Sequence, residues 1–506
     1  MKTKIFLLVG ILSILNIVFA QETINDKEIQ VIKPFSLGDS LGTSTVEAGT
    51  LISINEARLK YNVRGEDLLV AVLDTGLRTT HVDFAGRVEE GKNFTSDNGG
   101  NPTDVSDGDG HGTHVAGIIA GNRRTVGIAP AAKVVPLKVL KNNGRGSFSS
   151  ISRALDWVIN RVNEGKQIRV VNISISDSDN YTNDSTFSND MIRNRIKRLR
   201  DMKVAVVIAA GNEYVGNEGM GYPAIFKECI SVGAVFDSDM THIHDPNPHD
   251  SISGFVYSRG RAAFFPIAKG SITAFSQRLP SELSRTFQTD IFAPGAVITS
   301  SGHLNDRDQS ASQGTSQAAP VISGVILLMQ QHYKNKTGEY PSIDIIESAL
   351  RNCKPIFDGD DENDNVRNTG KRYTLVDAKM ALDNINQSIS TIAAIRAIAK
   401  ANPNLVIQQK DKDKYKPLSF ASETDRVKQK LEEIKRSVGA LYQNYKNLES
   451  LKDDINTIKA ELKQINLKYN SLEKNLKTYS KISEMKSLLI KMNEDLSSLE
   501  KSIKDE

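Results

Sequence analysis

The sequence predicts an α/β fold built on a doubly wound, mostly parallel sheet with helices on both faces, followed by an all-α coiled coil. The first observation is a set of short runs, rich in Val and Ile, that are apolar almost throughout, as strands covered on both faces are. These runs are residues 68–73, 133–139, 170–175, 204–209 and 229–235. The second is that amphipathic stretches at 149–163 and 189–202 alternate with the runs, which is typical of βαβ units.

The third observation is a helical repeat in the C-terminal part of the chain. From Val427 to Ile503 there is no proline and one glycine, and apolar residues recur in alternating steps of three and four. This is the heptad pattern of a coiled coil, and its narrow apolar stripe needs a partner helix, from a second chain or from a hairpin of the same chain. We expect a coiled coil at 421–506, able to self-associate through residues 427–503, after a linker at 386–420.

Residues 1–20 have the pattern of a secretory signal peptide. Two lysines precede an apolar run that ends in a small-residue cleavage site at Ala20. The run has about 15 residues, whereas a membrane-spanning helix needs about 20, so a retained anchor is the less favoured alternative. We expect export, cleavage before Gln21, no transmembrane segment in the mature chain, and a short N-terminal segment at 21–50.

Length and composition narrow the remaining possibilities. A chain of 506 residues is too long for one core, so two or more domains are expected. A formal net charge of +3 gives no reason to expect a nucleic-acid partner. The two cysteines, Cys229 and Cys353, could pair as a disulfide in an exported protein or be buried as small apolar residues, and the sequence leaves both open.

Three separate motifs supply a carboxylate, an imidazole and a hydroxyl in the chain order Asp, His, Ser. They are AVLDTG at 71–76, HGTHVAG at 111–117 and GTSQAAP at 314–320. This is one of the chain orders in which proteases carry a catalytic triad. The first motif ends an apolar run, which places Asp74 at the carboxyl edge of the sheet, where ligands of such folds bind.

Each motif alone has a simpler interpretation. Asp-Thr-Gly also occurs in aspartic proteases, but their chemistry needs a second such loop, and none is present. His111 and His114 could share a metal, but a zinc protease helix would carry a glutamate between them. Ser316 could simply cap a helix, and Asn212, which follows a buried run, could be an ordinary turn residue.

Together the motifs resemble those of subtilisin-like serine proteases, and the resemblance extends from about residue 51 to about residue 385. Three further segments take part in the match. They are Gly221-Tyr222-Pro223-Ala224, Phe292-Ala293-Pro294-Gly295 and Leu375-Val376-Asp377-Ala378. We therefore expect a subtilisin-like peptidase domain at 51–385.

The resemblance implies a role for each matched residue. Ser316 would be the nucleophile, His111 rather than His114 the general acid and base, and Asp74 the residue that orients His111. Asn212 would donate its amide to the oxyanion, beside the Ser316 N–H.

The implied function is a secreted serine endopeptidase that cleaves protein or peptide substrates through an acyl-enzyme, with no required cofactor. The alternative is an inactive or zymogen-like protease fold that serves as a binding or adhesion module through its coiled coil.

The substrate-binding residues depart from the family pattern. Where the family has Ser-Leu-Gly-Gly, this chain has Ser174, Ile175, Ser176 and Asp177, which with Gly221 are the predicted substrate-binding residues. Side chains in place of glycines should narrow the primary specificity pocket, and Asp177 should add negative charge. We expect a preference for small or basic residues before the scissile bond.

Other family features are altered as well. Many members have a folding pro-domain, for which residues 21–50 are too short. Asp83 matches a calcium carboxylate of the family, but the loop at 121–127 is shortened and basic, so calcium is possible but unsupported there.

The acidic run at 358–365 reads as a solvated loop rather than a calcium site. No metal site is predicted, and an insertion at about 237–273 reads as a surface loop although it is rich in histidine and aspartate. Those residues are His242, His244, Asp245, His249 and Asp250.

Overall fold

The computed structural model describes residues 28–30, 43–188, 190–241, 254–280, 288–359 and 363–401, and the structural statements below concern these. The predicted signal peptide, the predicted coiled coil and the histidines of the insertion lie outside the described residues.

The strands are β1 (Glu28–Gln30), β2 (Thr43–Ser44), β3 (Leu69–Asp74), β4 (Lys92–Asn93), β5 (Lys133–Lys138), β6 (Arg145–Ser147), β7 (Ile168–Ile173), β8 (Ala205–Ala209), β9 (Ile230–Phe236), β10 (Gly254–Val256), β11 (Ala262–Phe264), β12 (Ile291–Ala296), β13 (Ile298–Ser301), β14 (Gln309–Ser312), β15 (Lys354–Asp358) and β16 (Lys371–Leu375). The helices are α1 (Thr45–Leu51), α2 (Ile54–Tyr61), α3 (His111–Ala120), α4 (Phe148–Asn163), α5 (Met191–Asp201), α6 (Thr315–Thr337), α7 (Ile343–Arg351) and α8 (Ala378–Ala401).

The central sheet has the strand order β15-β16-β12-β9-β8-β7-β3-β5-β4. Its neighbouring strands are parallel, except for the antiparallel edge pair of β15 and β16. The predicted mostly parallel sheet is therefore confirmed, and the apolar runs found in the sequence form its interior. Three strands on one side of the sheet were not predicted: β12, an interior strand, contains Pro294 and Gly295, and the edge pair β15 and β16 is short and carries charged residues.

Helices cover both faces of this sheet, and β3 shows why its sequence is apolar throughout. Val70 and Val72 pack in the core cluster that contains residues of α3 and α6. Leu69, Ala71 and Leu73 point the other way, into the cluster that contains residues of α4 and α5. Alternate side chains are thus buried on opposite faces. A fully buried Val or Leu contributes about 1.5–3 kcal/mol.

The N-terminal segment joins the sheets of this unit through two short strands. Glu28–Gln30 pair antiparallel with β6, and Thr43–Ser44 pair parallel with β13. At the other end, α8 continues past the predicted domain limit at 385 to Ala401. The chain divides into two units, Met1–Ile392 and Ala393–Glu506. The predicted limit therefore falls inside a continuous helix.

Both cysteines are buried and free, so the structure has no disulfide between Cys229 and Cys353. Burial raises the pKa of both thiols, to about 11 for Cys353. Among the residues that the structure describes, no helix is long and apolar enough to cross a membrane.

Candidate active site

Asp74 and His111 form a direct buried contact at the carboxyl edge of the sheet. The Asp74 Oδ1 lies 2.7 Å from the His111 Nδ1, and it also accepts the Thr75 N–H at 2.8 Å. An ionised carboxylate only accepts, so the His111 Nδ1 carries a proton and a neutral ring has its lone pair on Nε2. That Nε2 is buried and has no hydrogen-bond partner in the described part of the chain. The pair can therefore act as an oriented general base.

Electrostatics favour the protonated form of His111. Burial alone would lower the pKa of the imidazole, but the carboxylates of Asp74, Asp109 and Asp107 oppose it, and the net pKa is raised above its ordinary value. An imidazolium formed during a reaction would be stabilised in the same way.

Two glycines allow His111 to approach Asp74. Gly110 precedes α3 with φ of 103°, a left-handed conformation that favours glycine. A Cβ on Gly112 would come within 2.2 Å of the Gly76 carbonyl oxygen. The Gly112 N–H instead donates to the Thr75 hydroxyl at 2.9 Å, which joins the start of α3 to the end of β3.

Asp107, which the sequence reasoning missed, fixes the turn before His111. Its carboxylate accepts from the Thr75 hydroxyl at 2.9 Å and from the Gly110 N–H at 2.8 Å. It also accepts from both the N–H and the hydroxyl of Thr113, at 2.8 and 2.7 Å. Burial raises the pKa of Asp107, but these bonds outweigh it and the pKa is lowered. Its position four residues before His111 is the sequence feature from which a role in this turn could have been predicted.

His114 is buried three residues after His111 and bonds to two backbone carbonyl groups. Its Nε2 lies 3.1 Å from the Ile298 carbonyl oxygen and 3.0 Å from that of Ser310. Burial lowers its pKa to about 4, so the ring is neutral near pH 7.

Ser316 lies in the first turn of α6 and is held by Ser174, directly after β7. The Ser316 hydroxyl donates to the Ser174 carbonyl at 3.0 Å, and the Ser174 hydroxyl donates to the Ser316 carbonyl at 2.8 Å. The Ser316 carbonyl is available because Pro320, four residues on inside α6, has no N–H to donate to it. No hydrogen bond joins the Ser316 hydroxyl to His111 in the described residues.

Asn212 follows β8 and presents an amide beside the start of α6. Its Oδ1 accepts from the N–H and the hydroxyl of Thr315, each at 2.8 Å. A backbone N–H only donates, so the acceptor must be the amide oxygen, and the Nδ2 remains as a donor. Across the described residues no partner occupies that Nδ2. A Cβ on Gly314 would lie 3.1 Å from it, so a small residue at 314 keeps the amide accessible.

The predicted substrate-binding residues divide into two groups. Ser176 fills space beside two glycines: its Oγ would lie 2.9 Å from a Cβ on Gly221 and 3.1 Å from one on Gly211. Ile175 instead packs in the core cluster of α4 and α5.

Asp177 is 7% exposed, and its carboxylate already has donors. It accepts from the Tyr222 N–H at 2.9 Å and the Tyr181 hydroxyl at 3.1 Å. These uncharged donors occupy both carboxylate oxygens, which weakens the argument for a basic substrate side chain and leaves the argument from size.

The residues around Asp83 do not fit a calcium ion. Its carboxylate accepts the backbone N–H groups of Arg123, Arg124 and Thr125 at 2.5–3.2 Å, and the Ser301 hydroxyl at 2.7 Å. Calcium needs several oxygen lone pairs directed at it, whereas here hydrogen-bond donors surround the carboxylate. The shortened loop thus supplies backbone amides in the position where a cation would neutralise Asp83.

The first described end of the acidic run at 358–365 is buried, contrary to the expected solvated loop, whereas Asn363 and Asn365 at the other end are exposed. Asp358 is 0% exposed and lies 2.8 Å from the equally buried Arg278. The Asn365 Oδ1 accepts the Ala262 N–H at 2.7 Å. Within the described ranges, no group of three or more His, Cys, Asp or Glu residues could hold a metal.

Comparison with known proteins identifies the family. The model of the subtilase family matches residues 65–372, more than half of the chain. The chain is 32% identical to the major intracellular serine protease of Bacillus subtilis over 277 residues, which cover 53% of this chain and 70% of that protein. It is 30% identical to an extracellular serine proteinase of a Thermus strain over 284 residues, 56% and 55% of the two chains. It is 29% identical to subtilisin BL of Lederbergia lenta over 305 residues, 57% and 90% of the two chains. The chain is a serine-type endopeptidase that belongs to the subtilase family.

Proposed function

We propose that Asp74, His111 and Ser316 are the catalytic triad of this endopeptidase. The observation that carries the proposal is the buried 2.7 Å contact between Asp74 and the His111 Nδ1, which leaves the Nε2 lone pair without a partner in the described structure. After rotation away from Ser174, the Ser316 hydroxyl gives its proton to that Nε2 as its Oγ attacks the scissile carbonyl carbon. His111 then returns the proton to the leaving amine, and water hydrolyses the acyl-enzyme.

The oxyanion is stabilised at the start of α6. Two donors face it in this proposal, the Asn212 Nδ2 and the Ser316 N–H, which lies in the first helical turn where amides have no intrahelical acceptor. The positive end of the helix dipole adds to both. Removal of the Asn212 amide should reduce kcat about 10²–10³-fold, the cost of losing one such donor in a subtilisin.

A zymogen-like state is the second candidate, and one observation favours it: the Ser316 hydroxyl bonds to Ser174 and not to His111. Labelling with a fluorophosphonate separates the two candidates. We expect the wild-type protein to be labelled covalently and the Ser316→Ala variant not to be labelled. Absence of label on correctly folded wild-type protein would favour an inactive binding or adhesion module.

The substrate preference follows from Ser176. Its side chain occupies the space beside Gly211 and Gly221, so the pocket for the residue before the scissile bond accepts small side chains best. The substrates are proteins or peptides, and no cofactor takes part in the reaction. Calcium does not bind at Asp83, because backbone amides occupy its carboxylate.

Export and self-association complete the proposal. The basic and apolar pattern of residues 1–20 supports secretion, while the relatives include both intracellular and extracellular enzymes. N-terminal sequencing of the protein from the extracytoplasmic fraction should start at Gln21. The heptad pattern at 427–503 supports self-association, so sedimentation of the full chain should give a mass above that of a monomer, and a chain that stops after Ala401 should sediment as one.

A further inference from the structure

Arg261 lies in the insertion that the sequence analysis assigned to a surface loop, yet its side chain is 4% exposed. Its Nη1 donates to the carbonyl oxygens of Asn212 and, at 3.2 Å, Tyr214. Its Nε and Nη2 donate to the carbonyl and the hydroxyl of Ser258, at 2.8 and 2.5 Å. Glu213 lies 3.5 Å from Nη2. The planar guanidinium thus joins the insertion on one side to the segment after β8 on the other.

Asn212 is consequently held at two points. Its side-chain oxygen is fixed by Thr315 at the start of α6, and its backbone carbonyl is fixed by Arg261. These bonds leave the Nδ2 available as a donor. A misplacement of about 1 Å at such a group can cost on the order of 10²-fold in rate.

The insertion is itself anchored where it carries Arg261. The Arg261 carbonyl accepts the Tyr257 N–H at 2.7 Å, and Ala262 exchanges two backbone-directed bonds with Asn365, at 2.7 and 3.1 Å. The Tyr257 hydroxyl reaches the Gln313 Oε1 at 3.2 Å, two residues before Thr315. Arg261 therefore projects from a braced hairpin and not from a free loop end.

We propose that Arg261 is a positioning residue for peptide-bond hydrolysis, which holds the Asn212 amide in the geometry required by the oxyanion. This inference rests on the proposed role of Asn212. Arg261 touches neither the substrate nor the reacting atoms and acts only through the backbone of Asn212. Because the oxyanion forms after substrate binds, loss of Arg261 should lower kcat and leave KM nearly unchanged.

The test uses the full-length protein and a peptide anilide, for which acylation limits the rate. Arg261→Lys keeps the positive charge but loses the planar guanidinium that donates to the carbonyls of Asn212 and Tyr214. We expect kcat to fall about ten-fold, with KM within about two-fold of the wild-type value. The matched control is Arg259→Lys, since Arg259 also contacts Glu213, at 3.1 Å, but is 53% exposed and bonds to neither carbonyl. The control should retain wild-type kcat within about two-fold.

A double-mutant cycle shows whether the effect passes through Asn212. In an Asn212→Ala background, Arg261→Lys should lower kcat by less than about two-fold further, because the amide that it positions is already absent. An undiminished ten-fold fall in that background, or a fall confined to KM, would overturn the proposal. If Asn212→Ala itself leaves kcat unchanged, the oxyanion role fails and the Arg261 role fails with it. If Asn212→Ala lowers kcat but Arg261→Lys does not, only the Arg261 role fails.

A milder variant covers the case in which Arg261→Lys unfolds. Ser258→Ala removes the exposed hydroxyl that holds Nη2 while it keeps Arg261 in place. We expect a smaller loss of kcat, about two- to three-fold, that vanishes in the Asn212→Ala background. Thermal unfolding of each variant, measured beside the kinetics, shows that the protein is folded at the assay temperature.

Discussion

Ser174 and Ser316 exchange two hydrogen bonds, hydroxyl to carbonyl in both directions, at 2.8 and 3.0 Å. The pair joins the end of β7 to the first turn of α6. The Ser174 hydroxyl also accepts from the Asn172 amide at 3.0 Å, and Asn172 accepts the Ser323 hydroxyl at 2.8 Å. This buried chain of polar groups sets the position of the proposed nucleophile before substrate arrives.

Removal of the Ser174 hydroxyl should destabilise the fold. In Ser174→Ala the Ser316 carbonyl loses its donor, and Pro320 cannot supply a helical N–H in its place. We expect the free energy of unfolding to fall by about 1–3 kcal/mol, measured by urea denaturation. The exposed Ser178→Ala is the control and should change it by less than about 0.5 kcal/mol. Equal stability of the two variants would contradict the role of the Ser174 bond.

The acid limb of the pH–rate profile should report the raised pKa of His111. The base must be neutral, so kcat/KM should fall as the pH falls through a pKa above 6.5, the ordinary value for histidine. Asp109 is one of the carboxylates that raise this pKa, so Asp109→Asn should move the acid limb to lower pH. Asp104→Asn, whose carboxylate is not among the main causes of the raised pKa of His111, is the control and should leave the limb nearly in place. A limb that stays fixed in Asp109→Asn would refute the electrostatic account.

The raised pKa of His111 also makes the stability of the fold depend on pH, and this dependence is opposite to that of activity. A group whose folded pKa exceeds its unfolded pKa stabilises the fold when protonated. The contribution of His111 is therefore complete below about pH 6.5 and is lost as the pH rises through the folded pKa. Activity and this part of the stability should thus change in opposite directions over one pH range.

Asp83 should stabilise the protein without calcium. Its carboxylate is hydrogen-bonded by backbone N–H groups of the loop at 121–127, so the melting temperature should be the same with and without a calcium chelator. Asp83→Asn should lower the free energy of unfolding by at least about 2 kcal/mol, because an amide NH₂ would meet donors at a buried site. Asp306→Asn removes an exposed carboxylate that pairs with Arg78 and is the control, which should leave the melting temperature nearly unchanged. A chelator that lowers the melting temperature of the wild type but not of Asp83→Asn would show that a cation binds there.

Ser176 should set the size of the substrate side chain that is accepted. Ser176→Gly would empty the space beside Gly211 and Gly221. We expect the ratio of kcat/KM for Phe over Ala before the scissile bond to rise at least about ten-fold, measured with matched peptide anilides. Ser178→Gly, at an exposed position, should leave the ratio unchanged. A wild-type enzyme that already prefers Phe would be incompatible with a narrowed pocket.

Much of the fold was predictable because strands buried on both faces are apolar along their whole length. The interior strands read as apolar runs, since Val70 and Val72 pack on one face while Leu69 and Leu73 pack on the other. The edge strand β15 has no such apolar run, because it is partly exposed and carries Lys354 and Asp358. The heptad stretch at 427–503 lies outside the described residues, so the predicted coiled coil stays a prediction.

The sequence by itself determined the family, the residue types of the proposed triad and their order, because each motif is short and contiguous. The tertiary structure decided what those residues contact. Ser174 and Ser316 are 142 residues apart, and Arg261 and Asn212 are 49 apart, so no local pattern pairs them. The tertiary structure also placed backbone amides around Asp83 and hydrogen-bond donors at the Asp177 carboxylate. Hydrogen bonds form between atoms that are close in space. Residues far apart in the chain come close only when the whole core packs, because bringing them together costs loop-closure entropy that the core must offset.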